Sequence, residues 1–544
     1  MSEKYFRNIP YEELMQILHS YEKKYPELFK IEIIGKSGEG RDIPAVILTD
    51  LSVPDGKKNA MLLQANVHSV EKTGTSVLLY LYETILKNAR DHRALLSRTV
   101  LYCIPCVNPD GAELVRLTGI NNRSKCIPLQ RKNAFIPKDI DNNELICQMR
   151  WKDPGGNYQV DTDDSRLMRA IGIDSVPEDE RYSLVEYEGE IAGWDGTTID
   201  SSRNNFLLAD FNRNFPANWE HFTESSHGIS VSSGTYPLCF PETKAVADFI
   251  LQHPQISIVV DMHNGTYAMM YPPSVKDESA YPADDMQLLR TIAQEGEKIT
   301  KLPAMSDRDY RAPNHPRLRL PGHFPDWVYE TLGLICLTPE LGNVYMAAGL
   351  STKETFRLIG EDPHGLDLAL IKGKDNCGYE YFKPWKPFMH PQIGEVEIGG
   401  RCVSVQGLIG DKNFPWICSG MMGYILRLCN FLPSLHITAS AVSLGTDPDG
   451  KPLTLINADF GNSGLVSTGL TRQYETKFAC DRPVIELHGP DTDAFVQGKP
   501  SFESPHIDTG KTISHSWIIK GGGRCRVVFR SMKTGICESR EIII

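Results

Sequence analysis

The sequence predicts an α/β domain followed by an all-β sandwich. Over roughly the first 385 residues, short apolar runs alternate with stretches of helical periodicity, and polar residues gather where the runs end, at 60–71, 99–111 and 256–265. Such strand ends are where α/β proteins place their chemistry. Beyond about residue 385 the texture changes to short alternating strands separated by turn residues, such as Asp447-Pro-Asp-Gly450 and Gly521-Gly-Gly523. The 544 residues are also too many for one ordinary domain. The division predicted is a first domain over 1–385 with an insertion at about 120–205, a connecting segment over 386–435 and a sandwich over 436–544.

Hydrophobic content of 41% and charged content of 23% are those of an ordinary globular chain. A net charge of −12 argues against a nucleic-acid-binding surface, which shows as a basic patch. No apolar run approaches the ~20 residues of a membrane span. The 13 scattered cysteines do not form the pattern of a disulfide framework, and the first residues lack the apolar core of a secretory signal. A cytoplasmic location is the expectation.

In chain order, Tyr11, Leu14, Leu18 and Tyr21 share one helical face. A strand over 31–35 turns through Gly35-Lys-Ser-Gly-Glu-Gly-Arg41 into a second over 43–48. That turn is a hairpin, because no Gly-Lys-Ser/Thr closes it at phosphate-loop spacing. The run 60–63 ends in Gln64-Ala-Asn-Val-His68-Ser-Val-Glu71, ahead of a helix with Val77, Leu78, Leu81 and Ile85 on its apolar face. Residues 99–107 form another buried strand, with Cys103 and Cys106 as small core residues, and end in Asn108-Pro-Asp-Gly111. From about 120 to 205 periodicity is lost. Within this stretch Asp139-Ile-Asp-Asn-Asn-Glu144 begins like a calcium loop but lacks its glycine and terminal glutamate, which makes it a solvated loop. Asp210-Phe-Asn-Arg213 follows, then a helix with Val246, Phe249 and Ile250 buried. The strand 256–262 ends at His263, and a later strand over 334–341 carries Glu340 at its exit. A carboxylate there has a desolvation cost that calls for a reason. A helix is expected over 417–430, and alternation at Leu435/Ile437/Ala439/Ala441 and Cys525/Val527/Phe529 marks the sandwich.

His68 and Glu71, three residues apart on one turn, can reach a single cation, and a catalytic zinc takes three N or O ligands plus water. Taken together, these pieces resemble the zinc carboxypeptidases, the M14 or funnelin metallopeptidases, over roughly 5–375. The family's order is a Gly-x-Ser-x-Glu-Gly-Arg hairpin, His-x-x-Glu, Asn-Pro-Asp-Gly, Asn-Arg, a strand-end His, and Asp-Trp-x-Tyr before a strand-borne Glu. The chain has these in register, ending with His263, Asp326-Trp-Val-Tyr329 and Glu340. The resemblance implies an α/β/α mixed-sheet domain holding one Zn²⁺ through His68, Glu71 and His263, with Glu340 as general base. By the same resemblance, Asn212 and Arg213 match the pair that grips the terminal carboxylate of a peptide substrate. For the arginine on the polarised carbonyl, Arg131 fits the family's local Arg-x-Asn pattern and is preferred; Arg123 lies nearer the usual distance from Asn108. Tyr310 is the nearest candidate for the substrate-capping tyrosine.

Departures are visible. Ser69 and Val70 stand where some members carry an arginine inside His-x-x-Glu, and neither Ser274 nor Pro325 offers a charge for a basic side chain. The reaction implied is hydrolysis of a C-terminal peptide bond. A zinc amidase or deacylase acting on cell-wall or γ-linked amides, and an inactive peptide-binding homologue, remain as alternatives.

Overall fold

The structure, a computed structural model, describes residues 3–5, 7, 9–128, 132–172, 175–196, 199–204, 206–219, 231–311, 320–377, 381–402, 409–410 and 412–544. Its centre is an eight-stranded sheet: β1 (Phe29–Lys36), β2 (Asp42–Leu48), β3 (Asn59–Ala65), β4 (Thr99–Ile104), β5 (Ile256–Met262), β6 (Tyr267–Tyr271), β7 (Ala304–Ser306) and β8 (Ile335–Leu341). The order across it is β1-β2-β4-β3-β5-β8-β6-β7. The middle four strands, β4, β3, β5 and β8, are mutually parallel, and antiparallel pairs flank them. The sheet is therefore mixed. Every residue of β3, β4 and β5 is buried, as continuous apolar runs covered on both faces require.

Neighbouring residues on β4 show the two covering layers, because side chains alternate across a strand. Tyr102 meets Phe249 of the helix Pro241–Gln252 edge-on at 5.4 Å, while Cys103 meets Tyr82 of the helix Thr73–Lys87. The helix Phe414–Cys429, close to the predicted 417–430, joins the Tyr82 side. Its Tyr424 hydroxyl donates to the Ile292 carbonyl of the helix Ala283–Thr300 at 2.8 Å. The layers are α/β/α.

Two segments far apart in sequence build a second sheet. Strands Phe382–His390 and Gly394–Arg401 continue into Gln148–Lys152 and Tyr182–Val185 of the insertion, with Met149, Val185, Val396 and Ile398 in a shared core. A disulfide joins Cys147 to Cys402 across the same seam.

The C-terminal region is antiparallel. One sheet holds Leu435–Thr446, Pro452–Asn462, Thr512–Lys520 and Phe495–Gln497; the other holds Ser501–Glu503, Val484–His488, Arg524–Ser531 and Gly535–Glu538. Ile456, Phe460, Trp517, Val527 and Phe529 fill the space between them, as the alternation predicts. This sandwich docks at the amino edge of the central sheet. Lys533 Nζ donates to the carbonyls of Pro254 and Ile256, at the start of β5, and the Thr471 hydroxyl donates to the Gly333 carbonyl just ahead of β8. Val466, Leu470 and Tyr474 join the main core at this junction. No helix among the described residues is long and apolar enough to cross a membrane.

Candidate active site

At the opposite, carboxyl edge, the three adjacent parallel strands β3, β5 and β8 end in polar residues. β3 leads into a turn that begins at Asn66, whose φ of 59° lies in the left-handed region that asparagine tolerates. The Asn66 amide donates to the His68 carbonyl at 2.8 Å and closes the turn. His68 and Glu71 thereby face inward, 3% and 2% exposed. β5 delivers His263, also buried. Its N–H donates to the Pro339 carbonyl at 2.9 Å, and Leu341 N–H donates back to the His263 carbonyl at 2.8 Å. These bonds place Glu340 beside His263 across the β5–β8 pairing. A Cβ on Gly265 would stand 3.0 Å from Glu340 Oε2, so the glycine leaves space for that carboxylate.

The three candidate ligands converge. His68 Nδ1 lies 2.9 Å from Glu71 Oε1, His263 Nδ1 lies 2.8 Å from Glu71 Oε2, and the two Nδ1 atoms are 3.1 Å apart. Zinc–nitrogen bonds of about 2.0–2.1 Å in a tetrahedral shell put ligand nitrogens roughly 3.3 Å apart, so the donor set fits such an ion with small adjustments. The outer nitrogens are held as well. His68 Nε2 sits 3.1 Å from Asp210 Oδ1 and His263 Nε2 sits 2.9 Å from Asp261 Oδ2, the carboxylate backing that orients metal-binding imidazoles. Gln64 fixes Asp261 in turn, at 2.8 Å.

Charge gives an independent test of the fit. Glu71, Asp210, Asp261 and Glu340 surround this point, and the guanidiniums acting on them are Arg123 and Arg213. With neutral imidazoles, as metal binding demands, a formal excess of two negative charges remains, which a divalent cation balances. The ionisation equilibria express the same field. Burial raises the Glu71 pKa, yet the facing imidazoles, in their protonated form, outweigh it and hold the carboxylate well below its ordinary range, so this point attracts positive charge. Burial works against the Arg123 charge, but Asp210, Glu71 and Glu340 more than compensate and hold its pKa above the ordinary value.

Arg123 donates through Nε to Asp210 Oδ2 at 2.9 Å and brings Nη1 to 3.6 Å from Glu71. Its carbonyl accepts from Ser69 N–H at 2.7 Å, which ties its loop to the ligand turn. Asp210 also accepts from Asn212 N–H, so one buried carboxylate organises His68, Arg123 and the Asn212-Arg213 turn. Asn212 Oδ1 accepts from Phe324 N–H, and Arg213 Nη1 donates to the Asn212 carbonyl at 2.6 Å. The Asn-Pro-Asp-Gly motif is scaffold: Asn108 caps its helix and binds the Val67 and Ser124 carbonyls, while Asp110 holds Ser37, Glu39 N–H and Arg41 of the hairpin.

The structure therefore groups His68, Glu71, His263, Glu340, Arg123, Asn212 and Arg213. Tyr310 stands half-buried on the separate short helix Asp307–Arg311, and Arg131 lies outside the described residues. Sequence reasoning did not assign roles to Asp261 and Asp210. Asp261 was findable, since a residue two before His263 on a strand shares its face.

Residues 14–163 and 191–350, more than half of the chain, match the zinc carboxypeptidase family, peptidase M14, and the break in the match falls within the insertion. Residues 440–540 match a family described as a domain of unknown function. Carboxypeptidase D of Drosophila melanogaster is 31% identical over 112 residues, 19% of this chain and 8% of that protein. Carboxypeptidase B of Astacus astacus is 30% identical over 101 residues, 19% of this chain and 32% of that protein. The matched stretch thus spans a third or less of either relative. Among solved structures, bovine thrombin-activatable fibrinolysis inhibitor in complex with tick carboxypeptidase inhibitor aligns with a TM-score of 0.44 and 15% identity, over 78% of this chain and 97% of that one. Carboxypeptidase A from Helicoverpa armigera aligns at 0.41 and 17%, over 68% and 73%. By the family match over more than half its length, the chain belongs to the zinc carboxypeptidase family, peptidase M14.

Proposed function

We propose that this protein is a zinc-dependent carboxypeptidase that hydrolyses the C-terminal peptide bond of peptides. The observation that carries the reading is the convergence of His68, Glu71 and His263 at one edge of the sheet, with Glu340 paired beside His263 and Arg123 reaching Glu71. His68, Glu71 and His263 would hold one Zn²⁺, which when bound supplies Lewis acidity toward a carbonyl and lowers the pKa of water.

The chain's own residues do the rest. Arg213, with Asn212, binds the substrate's free carboxylate, because a guanidinium offers it two parallel N–H donors. Arg123, fixed by Asp210, donates to the oxygen of the scissile carbonyl as negative charge builds there. The position of Arg123 supports giving it the role that the sequence pattern favoured for Arg131. Glu340 takes a proton from the attacking water and hands it to the leaving amine as the C–N bond breaks. Proton transfer of this kind contributes roughly 10²–10⁴-fold. The sandwich lies at the far edge of the sheet and touches none of these groups among the described contacts.

The test compares kcat/KM on matched peptides with free and amidated C-termini. Wild type releases one residue from the acid and discriminates against the amide. Arg213→Ala loses roughly 2–5 kcal/mol on the acid, the scale for removing one partner of a desolvated charge pair, and little more on the amide. Equal losses on both would make Arg213 structural and put the amidase or deacylase reading ahead.

A further inference from the structure

A second group of metal-ligating side chains, distinct from His68, Glu71 and His263, joins the insertion to the helix Pro363–Cys377. Asp161 follows the strand Tyr158–Val160, and His364 is the second residue of the helix Pro363–Cys377. The Asp161 side chain is fully buried. Its Oδ1 accepts from Asp163 N–H at 2.8 Å and from Asp164 N–H at 3.2 Å, which fixes the carboxylate's orientation. Its Oδ2 is thereby turned to His364 Nε2, 3.1 Å away and within ion-pair distance, yet the two are not aligned for a hydrogen bond and both atoms are shielded from solvent. The exposed Asp163 supplies a third donor, and the three donor atoms lie within 4.8 Å of one another. The only other cation described near Asp161 Oδ2 is Arg169, whose Nε lies 3.8 Å away on a half-exposed side chain.

Two buried polar atoms that face each other at 3.1 Å without an aligned hydrogen bond are placed as donors to a shared point, because a buried group lacking its hydrogen bond is otherwise costly. We propose that Asp161, Asp163 and His364 form a second metal site for a borderline divalent cation, zinc foremost. The imidazole selects against calcium and magnesium, which take oxygen donors only. Ligand distances of about 2.0–2.2 Å put neighbouring donors a little over 3 Å apart, as Asp161 and His364 already are. The ion serves as a staple. Leu167, in the same loop, and Leu370, on the His364 helix, pack in one small core with Val344, four residues beyond Glu340. Metal there fastens the insertion to the helix Pro363–Cys377, whose Leu370 shares that small core with Val344.

The experiment counts zinc bound by chelator-stripped full-length protein, titrated calorimetrically and checked by elemental analysis. Asp161→Asn and His364→Gln should each bind one zinc fewer than wild type. Asp163→Asn, an exposed change that disturbs no packing, should retain the site at least tenfold weakened and serves if either buried variant fails to fold. Calcium should not compete for the lost equivalent. The proposal is overturned if the variants bind as many zinc ions as wild type with unchanged affinity, or if calcium displaces zinc from the equivalent they lose.

Discussion

Asp210 is the residue whose replacement tests the architecture of the site most sharply. It touches no substrate group in the proposed reaction, yet its fully buried carboxylate accepts from His68 Nε2 at 3.1 Å, Arg123 Nε at 2.9 Å and Asn212 N–H at 2.9 Å. Asp210→Asn keeps the volume but offers one carbonyl oxygen to three donors and turns an NH₂ toward at least one of them. Bonds to a charged group contribute about 1.5–3 kcal/mol each, and loss of the carboxylate behind a ligating imidazole weakens metal binding roughly 10–100-fold, or about 1.4–2.8 kcal/mol. Zinc affinity at the His68–Glu71–His263 site, measured by competition with a chromophoric chelator, should fall by that factor, while His68→Ala and His263→Ala each lose the zinc equivalent bound there. Asp110→Asn is the matched control. Asp110 is also buried, but it holds the hairpin instead of a ligand, so its loss should lower thermal stability and leave zinc affinity unchanged. Asp210→Asn binding zinc within twofold of wild type, or Asp110→Asn weakening it equally, would refute the assignment of Asp210 as the carboxylate that orients His68.

Two further outcomes follow from packing and burial. Gly265→Ala puts a methyl group 3.0 Å from Glu340 Oε2, so the carboxylate must shift by a few tenths of an ångström; steady-state kinetics should show kcat down roughly three- to tenfold with KM held, whereas unchanged kcat would place Glu340 outside the reaction. Burial pushes the Lys533 amine down to about 7, so between pH 7 and its ordinary 10.5 the unfolded chain holds a proton that the folded chain lacks, and stability rises with pH in that window. Relative to Lys533→Met, wild type should gain up to about 1.4 kcal/mol per pH unit from pH 7 to 9 in urea unfolding, and parallel profiles would contradict a buried amine at this junction.

Much of this site was legible because its residues lie where local pattern changes. His68, His263 and Glu340 each stand at the carboxyl end of an apolar run, and the parallel pairing of β3, β5 and β8 then makes those ends neighbours. The helix Phe414–Cys429 and the alternation at Cys525, Val527 and Phe529 read directly, because burial of one face imposes their period. The pairing of Gln148–Lys152 with Gly394–Arg401 was not legible. Both strands are short, nearly 250 residues separate them, and nothing local encodes which edge a strand will seek. Among 13 cysteines, the Cys147–Cys402 partnership likewise depends on that long-range pairing. The contact of Arg123 with Asp210 was not legible either, since nothing local announces it, and Arg131 lies outside the described residues. The role of Lys533 was hidden for a similar reason: a lysine in a turn reads as solvated until a second domain is laid over it.

The most direct measurement of the central claim is Glu340→Gln, which preserves shape and hydrogen bonding and removes only the proton acceptor. Release of the C-terminal residue from a free-acid peptide should fall by about 10²–10⁴-fold in kcat, while zinc content and the Kd of a non-hydrolysable peptide acid stay at their wild-type values. A Glu340→Gln protein that turns over peptide at the wild-type rate with its zinc in place would contradict a hydrolytic reaction in which Glu340 moves the proton.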